Sequence, residues 1–137
     1  MQNYIVVTPR FSDFNQQGLL KASIHIDLAC ESQLAQMAPR YNLPLSSFVA
    51  KGLRWHIGEF KITFPKAIRT FDPLRIEADV FAVSGNTMTV DFTFFDNARE
   101  IKDALGTISV EWVGKDDKPV EIDGEIKQSL MKFGRVK

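Results

Sequence analysis

The sequence has little of what most metal centres and nucleophilic active sites are built from. Cys30 is the single cysteine among 137 residues, which excludes an internal disulfide and a cysteine-rich zinc site. The two histidines, His25 and His56, fall on different predicted elements without an evident triad acid beside them. Motifs of the types GxGxxG, GxxxxGK[ST] and GxSxG are absent. These absences argue against a metal centre, the common nucleotide-binding loops and a serine-hydrolase elbow.

An excess of charge of one sign is absent as well. Lys and Arg total 17, Asp and Glu total 17, and the formal net charge is zero, whereas a nucleic-acid binder usually has a basic excess. No segment approaches the roughly 18 apolar residues of a membrane span, and the N-terminus lacks the pattern of a signal peptide. We therefore expect a cytosolic protein without metal, nucleic-acid partner or membrane span. One domain over residues 1–137 with an aromatic-rich core is expected, since 45% of the residues are hydrophobic and eleven are Phe.

Hydrophobic periodicity predicts a strand, a long helix, four further strands and a short helix. The predicted elements are a strand over 3–11, a loop over 12–18, a helix from about Ser23 to Ala38, strands over 53–64, 74–83, 87–95 and 104–113, and a short helix with Ile122, Ile126, Leu130 and Phe133 on one side. Ser23 is a candidate N-cap, and Pro39 ends the long helix. Residues 84–86 predict a hairpin turn.

Three of the predicted strands alternate apolar and polar residues, which is typical of an antiparallel sheet covered on one side. The clearest of them has four apolar residues on one face: Met88, Val90, Phe92 and Phe94. The long helix is the only element large enough to cover that face. The sequence therefore predicts an α+β fold in which a five-stranded antiparallel sheet wraps around one central helix.

The strand over 53–64 differs, because its apolar residues are predicted on both faces. Trp55 and Ile57 fall on one face and Phe60, Ile62 and Phe64 on the other. One helix can cover only one face, so the other face or the strand edge needs a partner. This predicts a homo-oligomer.

Two carboxylates stand where the helical pattern predicts an apolar face. On a helical wheel Asp27 and Glu31 fall inside the apolar arc together with Cys30, which is expected to be inert core, while the opposite side carries His25, Ser32, Gln33 and Gln36. An unpaired buried carboxylate would cost several kcal/mol. Three interpretations are open: the helix surfaces on that side, Lys21 or Arg54 pairs with an acid, or one acid is a catalytic carboxylate facing a substrate channel.

The loop before the helix is the other dense polar cluster, over residues 10–18. Asp and Asn in such loops usually bond to their own backbone. A helix N-terminus that follows a glycine-containing loop can also offer N–H donors to an oxyanion or a thioester carbonyl. Both interpretations are compatible with the sequence.

The order of the elements and three short motifs resemble the hotdog-fold thioesterases, the acyl-CoA and acyl-ACP group that includes 4-hydroxybenzoyl-CoA thioesterase. The loop RFSDFNQQGLL over 10–20 resembles the family motif R-x-x-D-x-D-x-x-G, with Asp13 on the first acid and Gly18 on the glycine. The segment ACES over 29–32 resembles the L-E-S segment of acyl-ACP thioesterase helices. Residues 64–74 resemble the family's Y-x-x-P-x-x-x-x-D-x-L. The resemblance spans roughly residues 4–121.

The resemblance implies a hotdog fold, hydrolysis of acyl-CoA or acyl-ACP thioesters, and a homodimer or homotetramer with sheets joined edge to edge and active sites at the interface. It implies no cofactor other than the coenzyme A of the substrate. In many members the second acid of the loop motif is catalytic, but Asn15 stands there and cannot act as a base. Leu19 replaces the usual His or Val, and His25 replaces the helix aromatic. Other members use an acid on the central helix, and Glu31 matches that role.

We therefore predict a thioesterase in which Glu31, or alternatively Asp13, is the catalytic acid and Asn15 positions the water or the carbonyl. The predicted substrate-binding residues are Gly18, Leu19, His25, Asp27, Lys115 and Lys118. The two lysines would meet nucleotide phosphates, unless they are solvated surface charges. The alternatives are a non-catalytic hotdog protein that binds a CoA or acyl-carrier ligand, and a structural dimerisation module.

Overall fold

The computed structural model describes residues 2–97 and 101–135. Its elements in chain order are β1 (Tyr4–Val7), a 3-10 turn (Phe11–Asp13), α1 (Ala22–Met37), α2 (Leu45–Ala50), β2 (Arg54–Thr63), β3 (Leu74–Ser84), β4 (Thr87–Asp96), β5 (Ile101–Val113) and α3 (Gly124–Phe133). The predicted α+β architecture, an antiparallel five-stranded sheet with one long helix, is confirmed. The pattern missed α2, because six residues are too few for a helical period to be recognised. No helix in the described ranges is long and apolar enough to cross a membrane.

The sheet has the strand order β1-β3-β4-β5-β2, and every neighbouring pair is antiparallel. The alternating residues of β4 are buried as predicted. Both β1 and β2 lie at an edge. Among the residues that the structure describes, the ten residues of β2 therefore have a strand neighbour on one side only.

A bulge in β2 places its apolar side chains on one face of the sheet, whereas the sequence predicted them on both faces. The register shifts between Ile57 and Glu59, which leaves Gly58 as an extra residue. Because side chains alternate along a strand, one extra residue returns the following side chains to the first face. The four apolar residues that pair with inward-facing positions of β5 are Trp55, Ile57, Phe60 and Ile62. The prediction of apolar groups on both faces is wrong, but the unpaired edge remains.

The buried face of α1 is also not the predicted one. Its buried residues are His25, Leu28, Ala29, Ser32, Gln33, Gln36 and Met37, whereas Asp27 and Glu31 are exposed. Two of the buried polar residues are hydrogen-bonded to each other, since Gln36 Nε2 donates to Ser32 Oγ at 3.3 Å. Ser32 Oγ donates to the Ile76 carbonyl at 2.7 Å, and Arg40 Nη1 donates to Gln36 Oε1 at 2.6 Å. These hydrogen bonds make the burial of polar residues tolerable, so apolarity alone does not identify the inner side of this helix.

Candidate active site

The loop between β1 and α1 is closed by the side chain of Asn15. Its Oδ1 accepts hydrogen bonds from the backbone N–H groups of Gln17 at 2.9 Å and Leu19 at 3.0 Å. The N–H of Gly18 donates to the Asn15 carbonyl at 3.0 Å, and Gly18 adopts a φ of +75°, which favours glycine. The N–H groups of Gly18 and Leu19 are therefore already paired. The Nδ2 group of Asn15 has no partner among the described residues and remains available as a donor.

Asp13 holds the same loop from inside. It is buried, and its carboxylate accepts from the N–H of Arg10 at 2.8 Å and from the Arg10 guanidinium at 3.4 Å. The backbone N–H of Arg10 holds the pKa of this carboxyl below its ordinary value of 3.8, with smaller contributions from the Arg10 charge and Lys21 against the opposing effect of burial. The Asp13 carbonyl accepts from the N–H of Lys21 at 2.9 Å. These contacts suit an acid that fixes the loop to the start of α1, and its catalytic role stays a prediction.

The start of α1 has free backbone donors. Lys21, not Ser23, is the N-cap, and it makes no side-chain capping bond. The N–H groups of Ala22 and Ser23 find no acceptor within the described residues, and both residues are exposed. First-turn N–H groups of this kind can bind a developing negative charge.

His25 lies inside the fold rather than at a surface. Its Nδ1 is 2.9 Å from the Lys21 carbonyl, and because a carbonyl only accepts, Nδ1 carries the proton. The ring contacts Phe64 and Phe94, each with centroids 5.0 Å away. Burial lowers the pKa of His25 below 6.5. These contacts make His25 a neutral ring packed among aromatic residues, and its predicted contact with substrate stays untested.

A cavity of about 230 Å³ lies between α1 and the sheet, beside the free edge of β2. Most of its lining side chains are apolar, and they come from α1, β2, β4 and β5: Cys30, Gln33, Leu34, Trp55, His56, Ile57, Met88, Val90, Ile108 and Val110. Apolar clefts with few polar groups are the usual form of small-molecule sites. The sequence pattern did not reveal this cavity, because unfilled volume between elements has no periodicity.

The helix acids lie on the outer side of α1, next to this cavity. Cys30 lines the cavity, and burial together with the negative charge of Asp27 raises the pKa of its thiol. No hydrogen bond or ion pair within the described ranges involves Asp27 or Glu31, and Arg54 pairs instead with Asp117. Of the three interpretations of these acids, the helix surfacing on their side is the one that the chain adopts. The expected burial of Glu31 is wrong for a single chain.

One chain does not bring the loop and Glu31 to the same point. Nine residues separate Ala22 from Glu31, which corresponds to about 14 Å along a helix axis. A thioester carbonyl held by the first turn of α1 is therefore too far from the Glu31 of the same chain, and Asn15 lines a separate cleft with Phe14 and Phe71.

Lys115 and Lys118 lie in the exposed turn after β5. The turn is closed by the Gly114 N–H, which donates to the Lys118 carbonyl at 2.9 Å. The ion pair between Arg54 and Asp117 fixes this turn beside the start of β2. Their predicted contact with phosphates stays a prediction. Within residues 2–97 and 101–135, no cluster of three His, Cys, Asp or Glu side chains could hold a metal ion.

Comparison with solved structures identifies the architecture. A DHNA-CoA thioesterase from Staphylococcus aureus superposes with a TM-score of 0.86 at 11% identity, covering 95% of this chain and 89% of that one. The probable thioesterase YbaW from Escherichia coli gives 0.82 at 11%, covering 97% and 99%. The chain has the hotdog fold. A thioesterase from Thermus thermophilus, solved with coenzyme A and zinc, gives a TM-score of 0.80 at 12% identity, covering 95% of this chain and 92% of that one.

The fold expected from the loop and helix motifs is thus confirmed. No protein-family model matches the chain, and no curated protein matches it by sequence. At these identities the hotdog fold is what the solved structures share with the chain.

Proposed function

We propose that this protein is a thioester hydrolase that acts on acyl-CoA or acyl-carrier-protein substrates. The observation that carries the proposal is the apolar cavity under α1, which lies next to a helix face bearing two unpaired carboxylates. The thioesterases among its structural neighbours, one of them solved with coenzyme A, support the same activity. The acyl group would occupy the cavity, with the thioester at its opening.

In this mechanism Glu31 accepts a proton from a water molecule as the water oxygen attacks the thioester carbonyl carbon. The carbonyl oxygen becomes an oxyanion, stabilised by Asn15 Nδ2 and the free N–H groups at the start of α1. The carbon–sulfur bond then breaks, and the proton on Glu31 passes to the departing thiolate. The products are a carboxylic acid and a free thiol.

The mechanism needs two copies of the chain, because the start of α1 lies about 14 Å along the helix axis from the Glu31 of the same chain, and Asn15 lines a separate cleft. We propose a homodimer, or a tetramer made of two such dimers. In each dimer the loop of one copy meets helix α1 of the other. Exposed apolar residues beside the free edge of β2 support this arrangement: Leu34, Leu45, Val49 and Ile57. Such a patch next to an unpaired strand edge favours pairing with another chain.

Acyl-CoAs of varied chain length, with released thiol as the readout, test the activity. We expect turnover by the wild type and a roughly hundredfold lower kcat in Glu31→Gln, the usual scale for loss of a general base. Asp27→Asn is the matched control, since it removes the neighbouring carboxylate on the same face, and it should retain most of kcat. Wild-type kcat in Glu31→Gln would assign this acid a structural role. A dead Asp13→Asn beside an active Glu31→Gln would move the chemistry to the loop.

A non-catalytic hotdog protein that binds CoA or an acyl carrier is the second candidate. It is favoured by Asn15, since an amide stands at the loop position where many relatives carry the catalytic acid. Thermal stabilisation by CoA without turnover of any acyl-CoA would support it. If neither turnover nor stabilisation is observed, the remaining candidate is a structural dimerisation module.

A further inference from the structure

The first turn of α1 is held by the side chain of His25 as well as by the helical backbone. The carbonyl oxygen of Lys21 accepts three hydrogen bonds: from the N–H of Ile24 at 3.1 Å, from the N–H of His25 at 3.4 Å and from His25 Nδ1 at 2.9 Å. The bond from the imidazole ring is the shortest of the three. The ring is therefore the closest partner of this carbonyl.

The carbonyl that His25 holds belongs to the same peptide unit as a free donor. The C=O of Lys21 and the N–H of Ala22 lie in one planar trans peptide unit, in which the two groups point in opposite directions. The Lys21 oxygen is directed at the buried ring of His25. The N–H of Ala22 is directed the other way, and it has no acceptor among the described residues. The direction of this donor thus depends on the hydrogen bond from His25.

The two peptide units before this one are held by other parts of the fold. The N–H of Leu20 donates to the Ile68 carbonyl at 2.9 Å, and the N–H of Lys21 donates to the Asp13 carbonyl at 2.9 Å. The side chain of Lys21 makes no capping bond to the first turn of α1. The bond from His25 therefore fixes the one peptide unit that lies between this anchored segment and the free donors.

The surroundings of His25 do not favour a histidine. The ring is 2% exposed and contacts Phe64 and Phe94, and its Nε2 has no hydrogen-bond partner among the described residues. Phenylalanine would fill such a place without leaving an unpaired nitrogen, and buried unpaired polar atoms are rare because they lower stability. What histidine has and phenylalanine lacks is the Nδ1–H group that reaches the Lys21 carbonyl.

We propose that His25 is a positioning residue of the thioesterase, whose Nδ1–H holds the Lys21 carbonyl so that the N–H of Ala22 stays directed at the oxyanion. The proposal rests on the proposed function, in which the free N–H groups at the start of α1 stabilise that oxyanion. His25 acts through the backbone, and this role requires no contact between its ring and the substrate.

The substitution His25→Phe keeps an aromatic ring in place and removes the donor. We expect kcat for acyl-CoA hydrolysis to fall about tenfold or more, since displacing an oxyanion donor costs less than the roughly hundredfold of losing one. KM should stay unchanged, because the oxyanion is absent from the bound substrate. The melting temperature should not fall below that of the wild type, because the unpaired Nε2 is removed as well.

The substitution His25→Asn keeps a donor and removes the ring. A side-chain amide at this position can bond to the carbonyl four residues earlier. We expect a lower melting temperature than in the wild type, because a hole is left beside Phe64 and Phe94, but a kcat close to that of the wild type. Wild-type kcat in His25→Phe, or an equally low kcat in His25→Asn and His25→Phe, would overturn the proposal while leaving the thioesterase function intact.

Leu28→Ala is the matched control for stability. Leu28 is buried on the same helix, and its truncation lowers stability without removing a donor to the Lys21 carbonyl. It should keep the kcat of the wild type when assayed well below its melting temperature. An equal loss of kcat in Leu28→Ala and His25→Phe would show that activity follows stability, which contradicts a positioning role.

Nuclear magnetic resonance decides the positioning if the wild type hydrolyses no acyl-CoA, a result that would count against the thioesterase function itself. The ring-nitrogen signals of His25 should place its proton on Nδ1. The amide signal of Ala22 should shift in His25→Phe and return toward its wild-type position in His25→Asn. A proton on Nε2, or an Ala22 signal that is unchanged in His25→Phe, would reject the role of His25.

Discussion

Asn15 stands at the loop position where many hotdog thioesterases carry a catalytic acid, but an amide cannot act as a base. Its oxygen accepts two backbone hydrogen bonds that close the loop, and a carboxylate can accept the same two bonds. We expect Asn15→Asp to keep the melting temperature of the wild type and to raise thioesterase activity, because it supplies a base at the loop. Asn15→Leu is the control that lacks both acceptors, and it should lose about 1 to 2 kcal/mol of unfolding free energy. A marked loss of stability in Asn15→Asp would mean that the loop does not accept a charge there.

Asp13 predicts a pH dependence of stability. Its pKa is lowered in the folded chain, so its contribution is complete above its ordinary value of 3.8 and is lost as the pH falls through the folded value. We expect Asp13→Asn to lower the unfolding free energy by about 1 to 2 kcal/mol at pH 6. The difference from wild type should shrink below pH 3.8. Urea unfolding of both proteins between pH 6 and pH 3 measures this, and parallel curves over that range would contradict it.

At the level of elements, β5 approaches β2 closely at Gly106. A Cβ there would meet the Lys61 carbonyl oxygen and lie 2.9 Å from the Cα of Ile62, both in the backbone of β2. We expect Gly106→Ala to lower the unfolding free energy by about 1 to 3 kcal/mol, the range for overpacking. Gly124→Ala is the control, since nothing lies within 4 Å of a Cβ at that position. Denaturant unfolding compares the two, and equal stability would mean that the strands separate at little cost.

The sequence was sufficient for elements in which pattern and packing agree. In β4 every second residue from Met88 to Phe94 is apolar and buried, so its strand and its inner face were both predictable. In α1 the boundaries were nearly correct, but the orientation was not, because Ser32 and Gln36 are buried through hydrogen bonds to Ile76 in β3 and to Arg40 beyond the end of the helix. Similarly, the bulge in β2 depends on pairing with β5, which no local pattern records.

The candidate site was also predictable only in part. The loop around Asn15 and Gly18 was located by its motif and its turn residues. The cavity was not, since it arises only when α1 is packed on the sheet. The separation of the first turn of α1 from Glu31 likewise follows only from the extent of α1 in the structure.

At the scale of the whole molecule, the proposed site requires an assembly. Light scattering at micromolar concentration should give at least twice the 15.5 kDa of one chain. A monomeric mass would contradict both the assembly and the composite site.

Mixing two inactive variants tests where the site lies. If Asn15 and Glu31 act across the interface, a dimer of Asn15→Leu with Glu31→Gln contains one intact site. After denaturation and joint refolding of equal amounts, about half of the dimers are mixed, and each mixed dimer has one intact site out of two. If the two sites act independently, we expect about one quarter of wild-type activity. Each variant refolded alone is the control. No recovery in the mixture would place the site within one chain.

The bulge at Gly58 has a consequence for genetic variation in this protein. An in-frame deletion of that single codon would leave a regular strand in which Phe60 and Ile62 keep their inward side, because Gly58 is the extra residue of the bulge. Deletion of Lys61 would instead keep the bulge and turn Ile62 toward solvent. The tolerance of this strand to the loss of one residue should therefore depend on whether the deletion falls at the bulge.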